Sequence, residues 1–279
     1  MSDRPAPGAR EALGAAPVDV FRKARRGAPA GFFACEAAGL AWLAEPPDGP
    51  RVARVLGVAD DHLDLERVAP APATAAAARA FGGALAALHD AGAPAFGALP
   101  PGYTARFPGA AGFFGPLGDP LPMPGGAWPS WAEFYAEARL RPVLAQGRAR
   151  GVLDGDDERL VERVCARLPR LGGAAADDPP ARLHGDLWSG NVLWSADGAV
   201  LVDPAAHGGH READLAMLAL FGAPHLAEIL AGYAAAHPLA RGWRHRVRLH
   251  QLYPLAVHAV LFGGGYVAET RALLRDLAG

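Results

Sequence analysis

The sequence predicts an α+β chain in two lobes: a small N-terminal β-sheet lobe with one helix, and a larger, mainly helical C-terminal lobe that holds one hairpin. Three observations carry this prediction. Short alternating apolar runs gather between residues 18 and 68. A Pro/Ala stretch, APAPAT at 69–74, then interrupts them. Beyond it apolar residues recur at helical spacing, broken by two short apolar runs around SADG. The chain is accordingly divided into an N-terminal lobe at 1–68, a hinge at 69–74 and a C-terminal lobe at 75–279. Residues 1–16, rich in Ala, Pro and Gly, read as a loose lead-in.

Each element has its own signal. VDVFRK (18–23) alternates enough to be a strand, and GFFACEAAGLAWLAE (31–45) sets Phe33, Ala37, Leu40 and Ala44 at helical spacing. RVARVLGV and HLDLERV read as two strands separated by the turn signal ADD. Thr74 is placed to cap a helix with Ala77, Phe81, Leu85 and Leu88 on one face. The Gly/Pro-rich stretch 92–129 reads as a long ordered loop or flap, because its aromatics argue against disorder. Ser130 and Glu133 form a capping-box pattern opening WAEFYAEARL, and a helix over about 156–170 turns Leu160, Val161, Val164 and Leu168 inward. NVLW and AVLVD, split by SADG, form the hairpin. Helices over about 210–220, 224–236 and 241–262 complete the reading.

Composition excludes several classes of function. With 51% hydrophobic residues, 20% charged residues and a net charge of −2, the chain is globular, and its scattered arginines leave no electrostatic footprint for nucleic acid or an anionic membrane. Cys35 and Cys165 lie outside any CxxC, so neither a disulfide framework nor a zinc site is expected, and Cys35 reads as a buried apolar residue. No leader pattern and no apolar run long enough to span a bilayer is apparent, which leads us to expect a cytoplasmic protein. Oligomeric state is not legible.

Arginine supplies nearly all of the basic residues, yet one lysine, Lys23, and one asparagine, Asn191, persist. Asn191 closes HGDLWSGN, five positions after Asp186, and Asp203 ends the second strand of the hairpin. Asp is a competent proton acceptor for a hydroxyl, whereas Asn offers a neutral oxygen to a hard cation without adding charge beside a polyphosphate. A D-x4-N loop followed by Asp suits phosphoryl transfer. Asp and Asn are also ordinary turn residues, and His184 could simply hold the loop. Lys23 on a strand, followed by Glu36 on the next helix, favours the chemical reading, because such a pair holds the α- and β-phosphates of a nucleotide. A forked guanidinium would replace that point charge poorly. His207 and His210 in HGGH lack a third ligand nearby, so a metal there is not expected.

LHGDLWSGN, LVDPAAHGGHREADLAMLALFG, LAALH, FYAEARLRP and LYPLAVHAVLFGGGY, in that family's order from about residue 18 to 267, resemble the fructosamine kinase (ketosamine-3-kinase) family. The resemblance implies a protein-kinase-like fold related to aminoglycoside phosphotransferases. It also implies ATP- and Mg²⁺-dependent phosphorylation of the sugar 3-hydroxyl of ketoamines, in deglycation repair or catabolism of glycated amines. By position, Asp186 would be the catalytic base, Asn191 and Asp203 the metal ligands, and Lys23 with Glu36 the phosphate-binding pair. Glu66 would sit at the hinge beside adenine, Trp188 and His184 on the substrate side, and Asp214 would brace the loop. The chain departs from the family pattern before Lys23, where EALGAAPVDVFRK replaces a strand and a glycine-rich turn. A kinase for another amino sugar or an aminoglycoside, or a nucleotide-binding protein without turnover, are the competing readings.

Overall fold

The computed structural model describes residues 19–279, so the lead-in and the apparently shortened glycine-rich turn lie outside the described residues. The first alternating run forms β1 (Val20–Ala24), followed by α1 (Phe32–Leu43), β2 (Arg51–Val52), β3 (Val55–Val58) and β4 (His62–Glu66). β4 lies between β1 and β3 in an antiparallel sheet that sets Lys23 opposite Leu63. Leu63 and Leu65 point inward from β4 onto Phe33 and Leu40 of α1. This period-2 burial against a helix is what fixes the register.

RVARVLGV does not form one strand. Its first two residues leave the sheet and pair in parallel with the hairpin of the other lobe, reinforced by the Ala53 amide donating to Leu201 O at 2.9 Å. The open edge of the hairpin accepts this short strand and is thereby covered.

Residues 69–74 have no regular structure, and the Ala71 amide donates to Trp194 O at 2.8 Å. Thr74 then caps α2 (Ala75–Asp90), its hydroxyl accepting from the Ala77 amide at 3.1 Å, while Phe81, Leu85 and Leu88 are buried. The stretch expected as a flap contains α3 (Pro101–Arg106) and a hairpin of β5 (Gly112–Phe114) and β6 (Leu121–Met123). Proline at the first turn starts α3, where its missing N–H costs nothing. Phe113 on β5 meets Phe32 of α1 at 5.3 Å, so this hairpin reaches across to the sheet lobe.

Trp131, Phe134, Tyr135 and Ala138 are buried as their spacing predicts, but the helix is not uniform. A π-helical turn, Ala136–Leu140, separates α4 (Trp131–Tyr135) from α5 (Arg141–Ala149). α6 (Gly155–Gly172) opens on a full capping box between Asp154 and Asp157. Then come β7 (Ala181–Leu183), the hairpin of β8 (Val192–Ser195) and β9 (Gly198–Leu201), and β10 (His207–Gly209), which returns to pair with β7. α7 (Glu212–Leu220), α8 (Leu226–Ala236) and α9 (Trp243–Phe262) follow. The sequence reading stopped there, yet α10 (Gly265–Ala278) adds another helix beyond a glycine break with φ of +64° at Gly263 and +59° at Gly264. Among the described residues no helix is long and apolar enough to cross a membrane.

Candidate active site

The loop from His184 to Asn191 is held by its backbone. The buried carboxylate of Asp214, on α7, accepts from the His184 amide at 2.8 Å and the Gly185 amide at 2.9 Å, and contacts His89 Nε2 at 3.2 Å. Burial would raise its pKa, but these donors hold it below the ordinary carboxylate range. Asp214 therefore sits where the sequence reading expected a brace.

His184 does not face the cleft. It is fully buried; its Nε2 donates to Val202 O at 2.9 Å and its Nδ1 accepts from the Asp186 amide at 3.3 Å. Both ring nitrogens are used inside the loop, which corrects its assignment to the substrate. Glu66 is likewise absent from the cleft lining: its carboxylate accepts from Arg51 at 2.9 Å and from the Arg54 amide at 3.2 Å. Both donors share Oε1, and Oε2 has no hydrogen-bond partner among the described residues, so Glu66 remains a proposed contact for adenine at the edge of the sheet lobe.

Lys23, Glu36, Asp186, Trp188, Asn191 and Asp203, drawn from β1, α1 and both ends of the β8–β9 hairpin, line one cleft of about 380 Å³. This is within the ordinary size range of a small-molecule site. Lys23 Nζ lies 2.7 Å from Glu36 Oε2 and 3.2 Å from Asp203 Oδ1. Burial alone would lower its pKa, but the two carboxylates more than offset this and keep the ammonium charged. The Asn191 amide nitrogen donates to Asp186 O at 2.8 Å and to Asp186 Oδ2 at 3.1 Å, which orients its carbonyl oxygen away from those bonds. Burial, reinforced by the charges of Asp203 and Asp214, pushes the Asp186 carboxyl up to about 7.

Asp203 has φ of +53°, a conformation unusual for a residue with a side chain. Such strain persists where the surroundings impose it, and it points here to a functional position. The Asn191 carbonyl and the Asp203 carboxylate are hard oxygen donors, and two protein ligands of this kind suit Mg²⁺, which completes its shell with water and phosphate oxygens. The donor chemistry therefore fits the metal.

Trp188 is 40% exposed at the cleft, edge-on to Phe221 with ring centres 6.3 Å apart. Its indole covers Gly190, where any Cβ would run into the ring. Sequence reading missed Phe113, Leu117, His258 and Phe262, which also line the cleft. The first two lie in the stretch read as a flap; the others come from α9, within LYPLAVHAVLFGGGY, a string quoted for its resemblance but given no role. Cys35 lines the cleft too, its thiol pushed up to about 12 by burial, as an apolar wall residue rather than a nucleophile.

Comparison with known proteins places this arrangement. The chain superposes on a candidate fructosamine-3-kinase of Thermobifida fusca with a TM-score of 0.81 and 47% identity, over 93% of this chain and 85% of that one. A probable ketoamine kinase of Thermus thermophilus is 34% identical over 243 residues, 86% of this chain and 80% of that protein. An ADP-bound aminoglycoside phosphotransferase, at 12% identity and a TM-score of 0.54 over 85% of this chain and 79% of its own, shares the protein-kinase-like fold. The chain spans about half the length of the first curated relatives it matches. The family model for fructosamine kinase matches residues 120–278. Matched by that model over more than half of its length, and by a named relative over most of it, the chain belongs to the fructosamine kinase family.

Proposed function

We propose that the protein is an ATP- and Mg²⁺-dependent kinase that phosphorylates the sugar 3-hydroxyl of ketoamines such as fructosamines and ribulosamines, in deglycation or catabolism of glycated amines. The observation that carries this reading is the meeting of Lys23, Asp186, Asn191 and Asp203 in one cleft, with Lys23 locked to Glu36. Lys23 binds the α- and β-phosphates as a point charge, and Glu36 fixes its direction. Asp186 accepts the proton of the acceptor hydroxyl as that oxygen attacks the terminal phosphate and ADP departs. Asn191 and Asp203 are the residues that hold the metal, which when bound neutralises charge on the phosphates. Trp188 offers an exposed indole against which a flat sugar face stacks beside the base.

The test incubates the protein with ATP, Mg²⁺ and, in separate arms, fructosyl-lysine, ribulosyl-lysine, a free amino sugar and an aminoglycoside, and measures ADP release. Release dependent on a ketoamine supports the proposal. Release only with the amino sugar or the aminoglycoside moves the acceptor class, and nucleotide binding without release in any arm rejects a kinase.

A further inference from the structure

Two of the strings that carry the family resemblance end in aromatic residues, LALFG and AVLFGGGY, and neither end has a role in the phosphate and metal chemistry. They meet beside the Asp186 loop. Phe221, just past α7, packs edge-on to Trp188 with ring centres 6.3 Å apart. His258 on α9 lies 4.9 Å from Phe221, and Phe262, at the end of the same helix, lies 5.5 Å from His258. The glycine break after Phe262 turns the chain back, so that Tyr266 of α10 packs on His258 at 5.2 Å and on Phe262 at 6.4 Å. A run of rings therefore leads from Trp188, two residues after Asp186, to Phe262.

Trp188, His258 and Phe262 all line the cleft, and Phe262 is 57% exposed. Large apolar rings left open to water in a cleft are covered favourably by an apolar ligand group. The charges of the same lining are already committed. Lys23, its one cation among the described residues, is bound to Glu36 and Asp203, and in the proposed reaction Asp186 and Asp203 serve the hydroxyl and the metal. His258 adds no charge: its Nδ1 donates to Pro254 O at 2.7 Å, and burial lowers its pKa, so the imidazole is neutral at neutral pH. The wall thus offers ring faces, with no cation for a carboxylate and no further carboxylate for the several ammonium groups of an aminoglycoside. Ring faces suit the single ammonium of a ketoamine nitrogen and an apolar group attached to it. That nitrogen stands two carbons from the 3-hydroxyl, so a sugar on Trp188 with its hydroxyl at Asp186 leaves the substituent within reach of the rings beyond the indole.

We propose that Phe262, together with His258 and Trp188, is a specificity determinant that selects ketoamines whose nitrogen carries an apolar substituent, aromatic above all, over those that place a carboxylate beside it. This rests on the kinase reading for the identity of the acceptor. The methylene chain of an ε-glycated lysine satisfies the wall, whereas the carboxymethyl group of a glycated glycine does not.

The test measures, by calorimetry in the presence of ADP and Mg²⁺, dissociation constants for 1-deoxyfructose carrying a benzylamino, methylamino or carboxymethylamino group at its first carbon. The proposal predicts that the benzyl compound binds about tenfold more tightly than the methyl one, and the carboxymethyl compound about tenfold more weakly. Phe262→Ser, a change at an exposed position, reduces the benzyl-to-methyl ratio to about twofold and leaves methyl binding unaltered, which also reports a folded variant. Should that variant unfold, Phe262→Leu, which keeps an apolar side chain without the ring, is read in its place for the same loss of ratio. Benzyl and methyl compounds that bind alike, a carboxymethyl compound that binds as well as the methyl one, a ratio that survives the loss of the ring, or no binding of any of the three overturns the proposal. Binding needs no turnover: the benzyl preference without ADP release from ATP rejects the kinase reading alone, and ADP release without the preference rejects this proposal alone.

Discussion

Lys23 Nζ sits 2.7 Å from Glu36 Oε2, joining the first strand of the sheet lobe to its single helix. The same ammonium lies 3.2 Å from Asp203 beyond the hairpin of the other lobe, so one point charge spans the cleft. Replacing Lys23 by Met removes that charge and lowers kcat/KM for ATP by about 100-fold or more. Lys23→Arg restores little, because a forked head does not fit the geometry of a point charge. Steady-state kinetics with varied ATP check both, and wild-type kinetics in Lys23→Arg would contradict the role.

Asp214 is a stability residue as much as a positioning one. Truncation to Ala leaves the His184 and Gly185 amides buried without an acceptor, at about 1–3 kcal/mol each. Chemical denaturation should show a loss of about 3 kcal/mol. A loss below about 0.5 kcal/mol, the range of an ordinary surface change, would mean that the loop does not depend on this brace.

Buried histidines set a pH dependence. His207 and His210 titrate at about 3 when folded, owing mainly to burial, against an ordinary value of 6.5. Between those values the unfolded chain binds more protons, so stability is complete above pH 6.5 and falls as pH falls. Each histidine contributes at most about 2 kcal/mol of loss between pH 6.5 and 5. Unfolding midpoints in urea at the two pH values give the slope, and His207→Gln should flatten it.

Gly190→Ala probes the substrate wall without touching the core. A methyl there displaces the Trp188 indole, which is 40% exposed. The expected result is a thermal midpoint near that of the wild type with a KM for the ketoamine raised about tenfold, matched by Trp188→Ala. An unchanged KM in both variants removes Trp188 from the acceptor site.

The parts of the site legible in the sequence were those whose chemistry leaves few substitutes. Lys23 and Asn191 stood out in a chain that otherwise uses arginine and aspartate, and local spacing joined each to Glu36 and Asp186. His184, placed on the substrate side by the resemblance, was misread because its partner is not local: Val202, at the end of the hairpin, takes its ring Nε2. Periodicity saw the apolar content of RVARVLGV, but the parallel pairing of its first two residues with β9 is set by an edge almost 150 residues away. The helical pattern of FYAEARL likewise concealed the π-helical turn that carries Arg139.

The most direct measurement is ADP release from ATP and Mg²⁺ with fructosyl- or ribulosyl-lysine by the wild type and by Asp186→Asn, at matched folded concentration. If the Asp186 carboxylate takes the proton, the variant loses about 10²–10⁴-fold in kcat while still binding nucleotide. Turnover by Asp186→Asn within a few-fold of the wild type would contradict the account.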